Sequence, residues 1–473
     1  MDFYDTEDAL GLAQRVKSGE VSAEELLEEA ARRIAAANPT INAVTVDGID
    51  FGRKVIADGL PDGPFTGVPF LLKDLGAICP GLPATNGTRF NPPGEPPFDD
   101  EVVRRFKAAG LVIAGRTNSP EWGLTTTTEP VRNGPTRNPW NLEYSPGGSS
   151  GGAAAAIAAG IVPAAHGSDG GGSIRVPASN CGLFGLKPSR GRVSSGPYAG
   201  DGWSGFATSG VISRSVRDSA ALLDVLQGPA PGDPYGAPTP AGPFLSEVGK
   251  PPGALKIAMT DQPFSGTEKN ALLSANVEDA ARLCETLGHE IVPFSLEIDG
   301  EAFTNAVITI INVHTATLVD WLEDLHGRKA GPNDLETCTL VFAEMGRATR
   351  AVDFQNAIES LHELGRKIGR LFNEVDVILS PTQGIETPKL GVLDMMQPAE
   401  NYMNPIAKSV GYTAFYNALG NPAMSVPLHW APDGLPQGTQ FAAAYGNEAL
   451  LFRLAAQLEG ARPWAGKRPP IRA

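Results

Sequence analysis

The sequence predicts an α/β protein: one large domain in which a mixed central β-sheet is covered by helices on both faces. Three observations lead there. Apolar, strand-like runs alternate with segments of helical periodicity along nearly the whole chain, the pattern that lays helices over a large sheet. The composition, 42% hydrophobic, 19% charged and 7% aromatic, is that of a globular protein with a sizeable core. No internal repeat of about 20–50 residues breaks the rhythm, so solenoids and propellers are excluded. A length of 473 residues would suggest about three domains, but large α/β enzymes run this long as one unit.

The elements follow in order. "SAEELLEEAARRIAAAN" is a helix with Ser22 as N-cap and Glu25 completing a capping box. "GVPFLLKDLGAI" is a short apolar strand carrying one lysine, and "DEVVRRFKAAG" is a helix stopped by glycine before the buried strand "LVIAGRT". A small-residue helix, "GGAAAAIAAG", precedes "IVPAAHGS". The alternation resumes with "RDSAALLDVLQ", "LKIAMT", "ANVEDAARLCETLG" and "HEIVPF". A long amphipathic helix over "FQNAIESLHELGRKIGRLFNEV" feeds the strand "DVILSPT", and "AMSVPL", "TQFAAAY" and the helix "EALLFRLAAQLEG" close the chain. The Pro/Gly-rich piece at about 227–244 reads as a surface crossing inside the domain, because the pattern continues beyond it.

The formal net charge is −15 and no dense Lys/Arg cluster occurs, which argues against nucleic acid or an anionic membrane as partner. No uninterrupted apolar run approaches the roughly 20 residues of a membrane span. Cys79, Cys181, Cys284 and Cys338 are widely spaced, so free buried thiols are expected rather than a zinc site or disulfide framework. The acidic start "MDFYDTEDAL" lacks the features of a leader peptide, and a cytoplasmic location is expected.

Chemistry concentrates in two glycine–serine clusters. "HGSDGGGSIRVPASNCG" sets Gly170, Gly171 and Gly172 directly before Ser173. Bare backbone suits either a phosphate cradle or an oxyanion hole, but neither G-x-x-x-x-G-K-[ST] nor G-x-G-x-x-G is present. Backbone N–H groups around an oxyanion at Ser173 would contribute roughly 3–4 kcal/mol each in acyl transfer. A tight turn with a solvent-facing serine is the plain alternative. In "SPGGSSGGAAAAIAAG", Ser149 and Ser150 precede a helix and read as an N-cap or as a G-x-S-x-G elbow. The elbow lacks its strand, since "TRNPWNLEYSP" is polar and broken by two prolines.

A serine nucleophile needs a base. None of the six histidines sits in a recognisable catalytic motif. Lys73, inside an apolar strand, either snorkels to solvent or is buried and neutral. Work near pH 7 requires its pKa to fall by about 3, on the order of 4 kcal/mol of desolvation and neighbouring positive potential.

Together "FLLKD", "GGSSGG" and "GSDGGGSIRVPASNCGLFGLKPSRGRVS" resemble the amidase signature family, and the resemblance runs over nearly the whole chain. The offset of 24 residues between Ser149 and Ser173 matches the family's pattern. The resemblance implies the amidase signature fold over residues 1–473, with a signature core at about 64–220. It implies a Ser–cisSer–Lys triad: Ser173 attacks the amide carbonyl, and Ser149, on a cis peptide, relays the proton to neutral Lys73. The oxyanion hole maps to the backbone of Gly170, Gly171 and Gly172 together with Ser173, Gly170 departing from the bulkier residue often found there. Asp169, Ser150 and Arg175 match positions that support the site, and Trp122 and Thr125 fall where a pocket wall is expected. So does "MMQPAENYMNPIAKSVGYTAFYNALGNP", which reads as a flap or as core packing.

The implied activity is hydrolysis of the C–N bond of a small-molecule amide, linear, cyclic, aryl or carbamate, with water and no cofactor. The ending "AAYGNEALLFRLAAQLEGARPW" and the core "TRNPWNLEYSPGGSSGG" look most like bacterial stand-alone amidases, a group that includes the 6-aminohexanoate cyclic-dimer hydrolases. A homodimer is left open. Two other functions compete: the amidase subunit of a glutamine-dependent tRNA amidotransferase, disfavoured by the acidic charge, and an inactive binding protein, disfavoured by the complete triad. No H-E-x-x-H or clustered His/Cys/Asp set occurs, so activity is expected to survive EDTA and dialysis. Loss of turnover that zinc or manganese restores would overturn the triad.

Overall fold

A computed structural model describes residues 1–473 apart from 2, 93, 95 and 295–297. Its strands are β1 (Val44–Asp47), β2 (Pro69–Lys73), β3 (Val112–Thr117), β4 (Ala164–Asp169), β5 (Phe184–Lys187) and β6 (Thr208–Ser213). They continue with β7 (Lys256–Met259), β8 (Glu290–Pro293), β9 (Val377–Pro381), β10 (Ala423–Trp430) and β11 (Pro436–Ala443). Among the described residues these make one eleven-stranded sheet in the order β1-β3-β2-β4-β6-β5-β10-β11-β9-β7-β8. The sheet is mixed, as expected. β3, β2 and β4 run parallel, β6 turns antiparallel to β4, and β9, β7 and β8 are parallel again at the far edge.

Side-chain alternation divides the core between the two faces. Phe70, Leu72 and Ile113 pack on one side, where the helices Glu101–Ala108, Val216–Leu226 and Glu448–Ala461 supply Phe106, Leu222 and Leu451. Leu71, Val112 and Ala114 pack on the other, against Leu27 of the Ala23–Ile41 helix and the alanines of Gly151–Ala158. Helices therefore cover both faces. The capping box at the start of Ala23–Ile41 is complete: Glu25 N–H donates to Ser22 Oγ at 3.1 Å, and Ser22 N–H to Glu25 Oε2 at 2.8 Å.

The 27-residue helix Gly300–His326 is poorly legible in the sequence, because "AVITIINVHTATLV" is rich in β-branched residues that weaken a helical reading. By length and composition it could span a bilayer, although Thr, Asn and His interrupt its apolar residues, so it is not the uninterrupted run looked for in the sequence. Part of its apolar surface is engaged within the fold: Phe303, Val307 and Ile310 pack with Phe415, and Val319 and Leu322 pack with Phe90 and Leu335, while Trp321 and Leu325 stay exposed. The Pro/Gly-rich stretch after Leu226 has no fully buried residue before Phe244, whose N–H donates to Asp224 Oδ1 at 2.6 Å.

Every residue of Gly151–Ala158 is buried, and the helix can sit so deep because it opens on two glycines followed by alanines. A Cβ on Gly152 would lie 2.4 Å from Asn118 N and 2.7 Å from Ala43 O. Gly152→Ala therefore forces backbone apart and is expected to cost on the order of 3 kcal/mol. Gly369→Ala, on an exposed helix position with nothing within 4 Å of the added methyl, should be neutral or stabilising. Thermal melts of the two variants check the contrast, and equal midpoints would refute it.

Candidate active site

The parallel strands β2 and β4 end side by side, and the site grows from their carboxyl ends, where ligands collect in open α/β sheets. Lys73, the last residue of β2, has no exposed surface. Its Nζ lies 2.6 Å from Ser149 Oγ and 2.9 Å from Ser168 Oγ, and it forms no ion pair among the described residues. Burial brings its pKa down to about 7, against the opposing pull of the Asp169 charge. The Lys73 backbone is pinned from both sides: its N–H donates to His166 Nδ1 at 3.3 Å, and Arg116 donates to its carbonyl at 3.1 Å. Burial, reinforced by Lys73 and Arg116, holds His166 neutral by lowering its pKa to about 3.

Ser149 follows a cis peptide bond from Gly148 and is buried. Ser150 braces the neighbouring backbones. Its N–H donates to the Ser173 carbonyl at 3.2 Å, and its Oγ bonds both the carbonyl and the N–H of Ser168 at 3.3 Å.

The three glycines before Ser173 each answer a different demand. A Cβ on Gly170 would lie 3.0 Å from the Trp203 ring, while one on Gly171 would meet nothing within 4 Å. Gly172 has φ +137°, and a Cβ there would sit 2.5 Å from Thr413 Oγ1. The Asp169 carboxylate organises the loop from beneath. It accepts the Gly172 N–H at 2.7 Å and the Ile174 N–H at 3.1 Å. That corrects the expected oxyanion hole: the Gly172 donor is already engaged, whereas the N–H groups of Gly170, Gly171 and Ser173 have no partner among the described residues.

Asp169 and Arg175 form a fully buried ion pair at 2.9 Å. Burial opposes the Asp169 charge, yet the Arg175 guanidinium carries its pKa well below the ordinary carboxylate range. Arg175 also donates to Thr413 O at 3.0 Å, Gln440 Oε1 at 2.8 Å and Asn417 Oδ1 at 2.6 Å. Ser168, Thr413, Asn417 and Gln440 were not singled out from the sequence. The last three lie more than 200 residues from the motif they support.

Ser173 opens into a cavity of about 890 Å³, mouth included. Thr125 lines it. Trp122 does not: its backbone is left-handed (φ +49°), and its indole packs behind the wall against Phe90, Leu322 and Leu124. The segment expected as flap or core supplies Tyr402, Met403 and Ile406 to the lining, and Tyr402 Oη donates to Leu124 O at 3.3 Å. Phe303, Val307 and Ile311 of the helix Gly300–His326 complete the apolar wall. No Asp, Glu, Lys, Arg or His lines the cavity among the described residues.

A buried lysine against a serine, beside backbone donors at a second serine, defines the class as an amide-cleaving enzyme once set against known proteins. Residues 25–452 match the Amidase family, and the chain belongs to it. It is 38% identical to the 6-aminohexanoate-cyclic-dimer hydrolase of Paenarthrobacter ureafaciens, over 98% of this chain and 97% of that one. A solved structure of 6-aminohexanoate cyclic dimer hydrolase complexed with substrate superposes with a TM-score of 0.94 at 37% identity, covering 100% of both chains. A bacterial aryl acylamidase of the amidase signature family gives 0.87 at 27% identity, over 98% of this chain and 99% of that one.

Asp169→Asn leaves the Arg175 guanidinium buried without its counter-ion, at an expected cost of about 3–5 kcal/mol. Calorimetry should show a large fall in the unfolding temperature, or the variant should be recovered unfolded. An unchanged transition would show that the pair does not hold the loop.

Proposed function

We propose that the chain hydrolyses a compact, uncharged amide through an acyl-enzyme on Ser173, with Ser149 and Lys73 as the proton path. The observation that carries this reading is the 2.6 Å contact of a fully buried lysine, its pKa brought to about 7, with the Ser149 hydroxyl. Neutral Lys73 takes the Ser149 proton as Ser149 takes that of Ser173. The Ser173 Oγ–carbon bond forms, and the oxyanion meets the free N–H groups of Gly170, Gly171 and Ser173. The proton held on Lys73 then returns through Ser149 to the departing nitrogen as the C–N bond breaks. Water repeats the sequence on the ester, releases the acid and restores Ser173. Such positioned acid–base transfer contributes roughly 10²–10⁴-fold.

The pocket supports the substrate class. An ionised group in a cavity lined without any charged side chain would lose hydration and gain no counter-ion. Uncharged amides meet no such penalty, and the names of two relatives, a cyclic-dimer hydrolase and an aryl acylamidase, point to cyclic and aryl amides as the first to assay.

Ser173→Ala should abolish labelling by a fluorophosphonate and all acyl-enzyme formation while keeping the fold. Retained labelling that disappears in a Ser150 variant would move the nucleophile. Because protonated Lys73 cannot accept a proton, kcat/KM should fall as pH drops below about 7 and level off above it. Lys73→Ala should remove this limb and cost about 10³-fold or more. Lys73→Arg should be nearly as damaging, since guanidinium stays charged. Near-normal turnover in Lys73→Arg would refute the proton path.

A further inference from the structure

Trp203 lines the cavity beside Gly170 and Gly171, yet it belongs to neither serine cluster. Its backbone is unusual. Trp203, Ser204 and Gly205 follow one another in the left-handed region, with φ of +53°, +53° and +82°. A bulky residue with positive φ is an outlier, and such residues persist where the surroundings over-determine them. Here they do so from three directions. The Ser204 hydroxyl pairs with His314 Nε2 at 2.9 Å, and Arg190 Nε donates to Gly205 O at 2.7 Å. Asn417 Nδ2 donates to Phe206 O at 3.1 Å and to Asp169 O at 2.9 Å, which ties the turn to the end of β4. Backbone bonds from Ala207 N–H to Gly202 O (3.0 Å) and Phe206 N–H to Trp203 O (3.2 Å) close it.

The indole in turn explains Gly170. A Cβ there would sit 3.0 Å from both Cε3 and Cζ3 of Trp203, closer than an ordinary contact, and a larger side chain would claim the ring's place. Gly170 and Trp203 thus fill one volume between them, three residues from Ser173. We infer that Trp203 is a specificity-determining residue: a rigid wall, seated by the missing side chain at Gly170, that limits the width of the substrate group lying against Gly170 and Gly171. The inference rests on the reading of Ser173 as nucleophile.

The test compares kcat/KM over two series of uncharged amides, one widening the acyl group and the other the amine. Trp203→Ala should raise the wide-to-narrow ratio by about tenfold or more in at least one series, the discrimination that one or two carbons in a pocket can impose. Trp203→Leu is read in the same way if the alanine variant does not fold. Gly170→Ala keeps its N–H but presses on the ring. It should lower kcat/KM about tenfold alone and less than about twofold in the Trp203→Ala background, because contacting residues do not act additively. Ratios that stay constant in both series, or Gly170→Ala and Trp203→Ala effects that simply multiply, would overturn the inference while leaving an active enzyme. A fully active Ser173→Ala would instead remove the reading on which it rests.

Discussion

An ammonium group becomes neutral near pH 7 only where water is excluded and no carboxylate is free to pair with it. That constraint on Lys73 governs the centre of the molecule. Its neighbours are hydroxyls, from Ser149 and Ser168, and the acidic influence on it comes from Asp169, whose charge acts to keep the lysine protonated. Arg175 occupies that carboxylate without cancelling its pull: Nε and one terminal nitrogen bond the two oxygens at 3.0 and 2.9 Å, so the group that pairs with Asp169 is the guanidinium and not the lysine. The remaining lone pairs serve the loop amides and Asn417. One buried cation is thus spent so that another can lose its charge. The ion pair that shapes the loop before Ser173 is also what leaves Lys73 without a counter-ion.

The same arrangement shows why parts of the site were legible in the sequence and others were not. Lys73, Ser149 and Ser173 stand in short motifs whose residue types are unusual for their surroundings, a lysine in an apolar strand and serines among glycines. The capping box of Ser22 and Glu25 is local, three residues apart, and needs no tertiary knowledge. Asn417 and Gln440, by contrast, look like ordinary polar residues until the fold carries them to Arg175. Gly172 misled in a subtler way. Its amide lies in the expected row of donors, but the Asp169 carboxylate three residues earlier claims it, and only backbone geometry reveals which N–H groups stay free. Trp122 and Trp203 make the converse pair. Both flank the site with left-handed backbones, yet one indole packs behind the pocket and the other forms its wall, a choice made by contacts with distant helices.

Those helices divide the labour of the chain. Every group proposed to move a proton or stabilise an oxyanion lies between Lys73 and Arg175. The apolar lining comes largely from elsewhere: the turn at Trp203, the helix Gly300–His326, Phe342 and the segment around Tyr402. The two parts are joined by a few bonds, among them Tyr402 Oη to Leu124 O, Thr126 to Ser409 at 2.8 Å, and Thr413 Oγ1 to Gly171 O at 2.7 Å. The consequences for change are unequal. A substitution in the motif region meets buried charge and backbone at van der Waals distance, so little is tolerated. A substitution among the lining helices exchanges one apolar surface for another, and volume-conserving swaps of that kind cost little stability. At 37–38% identity over the full chain, shared chemistry is therefore the expected inheritance and substrate choice the expected variable. Residues such as Trp203, which stand where the two parts meet, are the ones through which a change in the lining reaches the reacting bond.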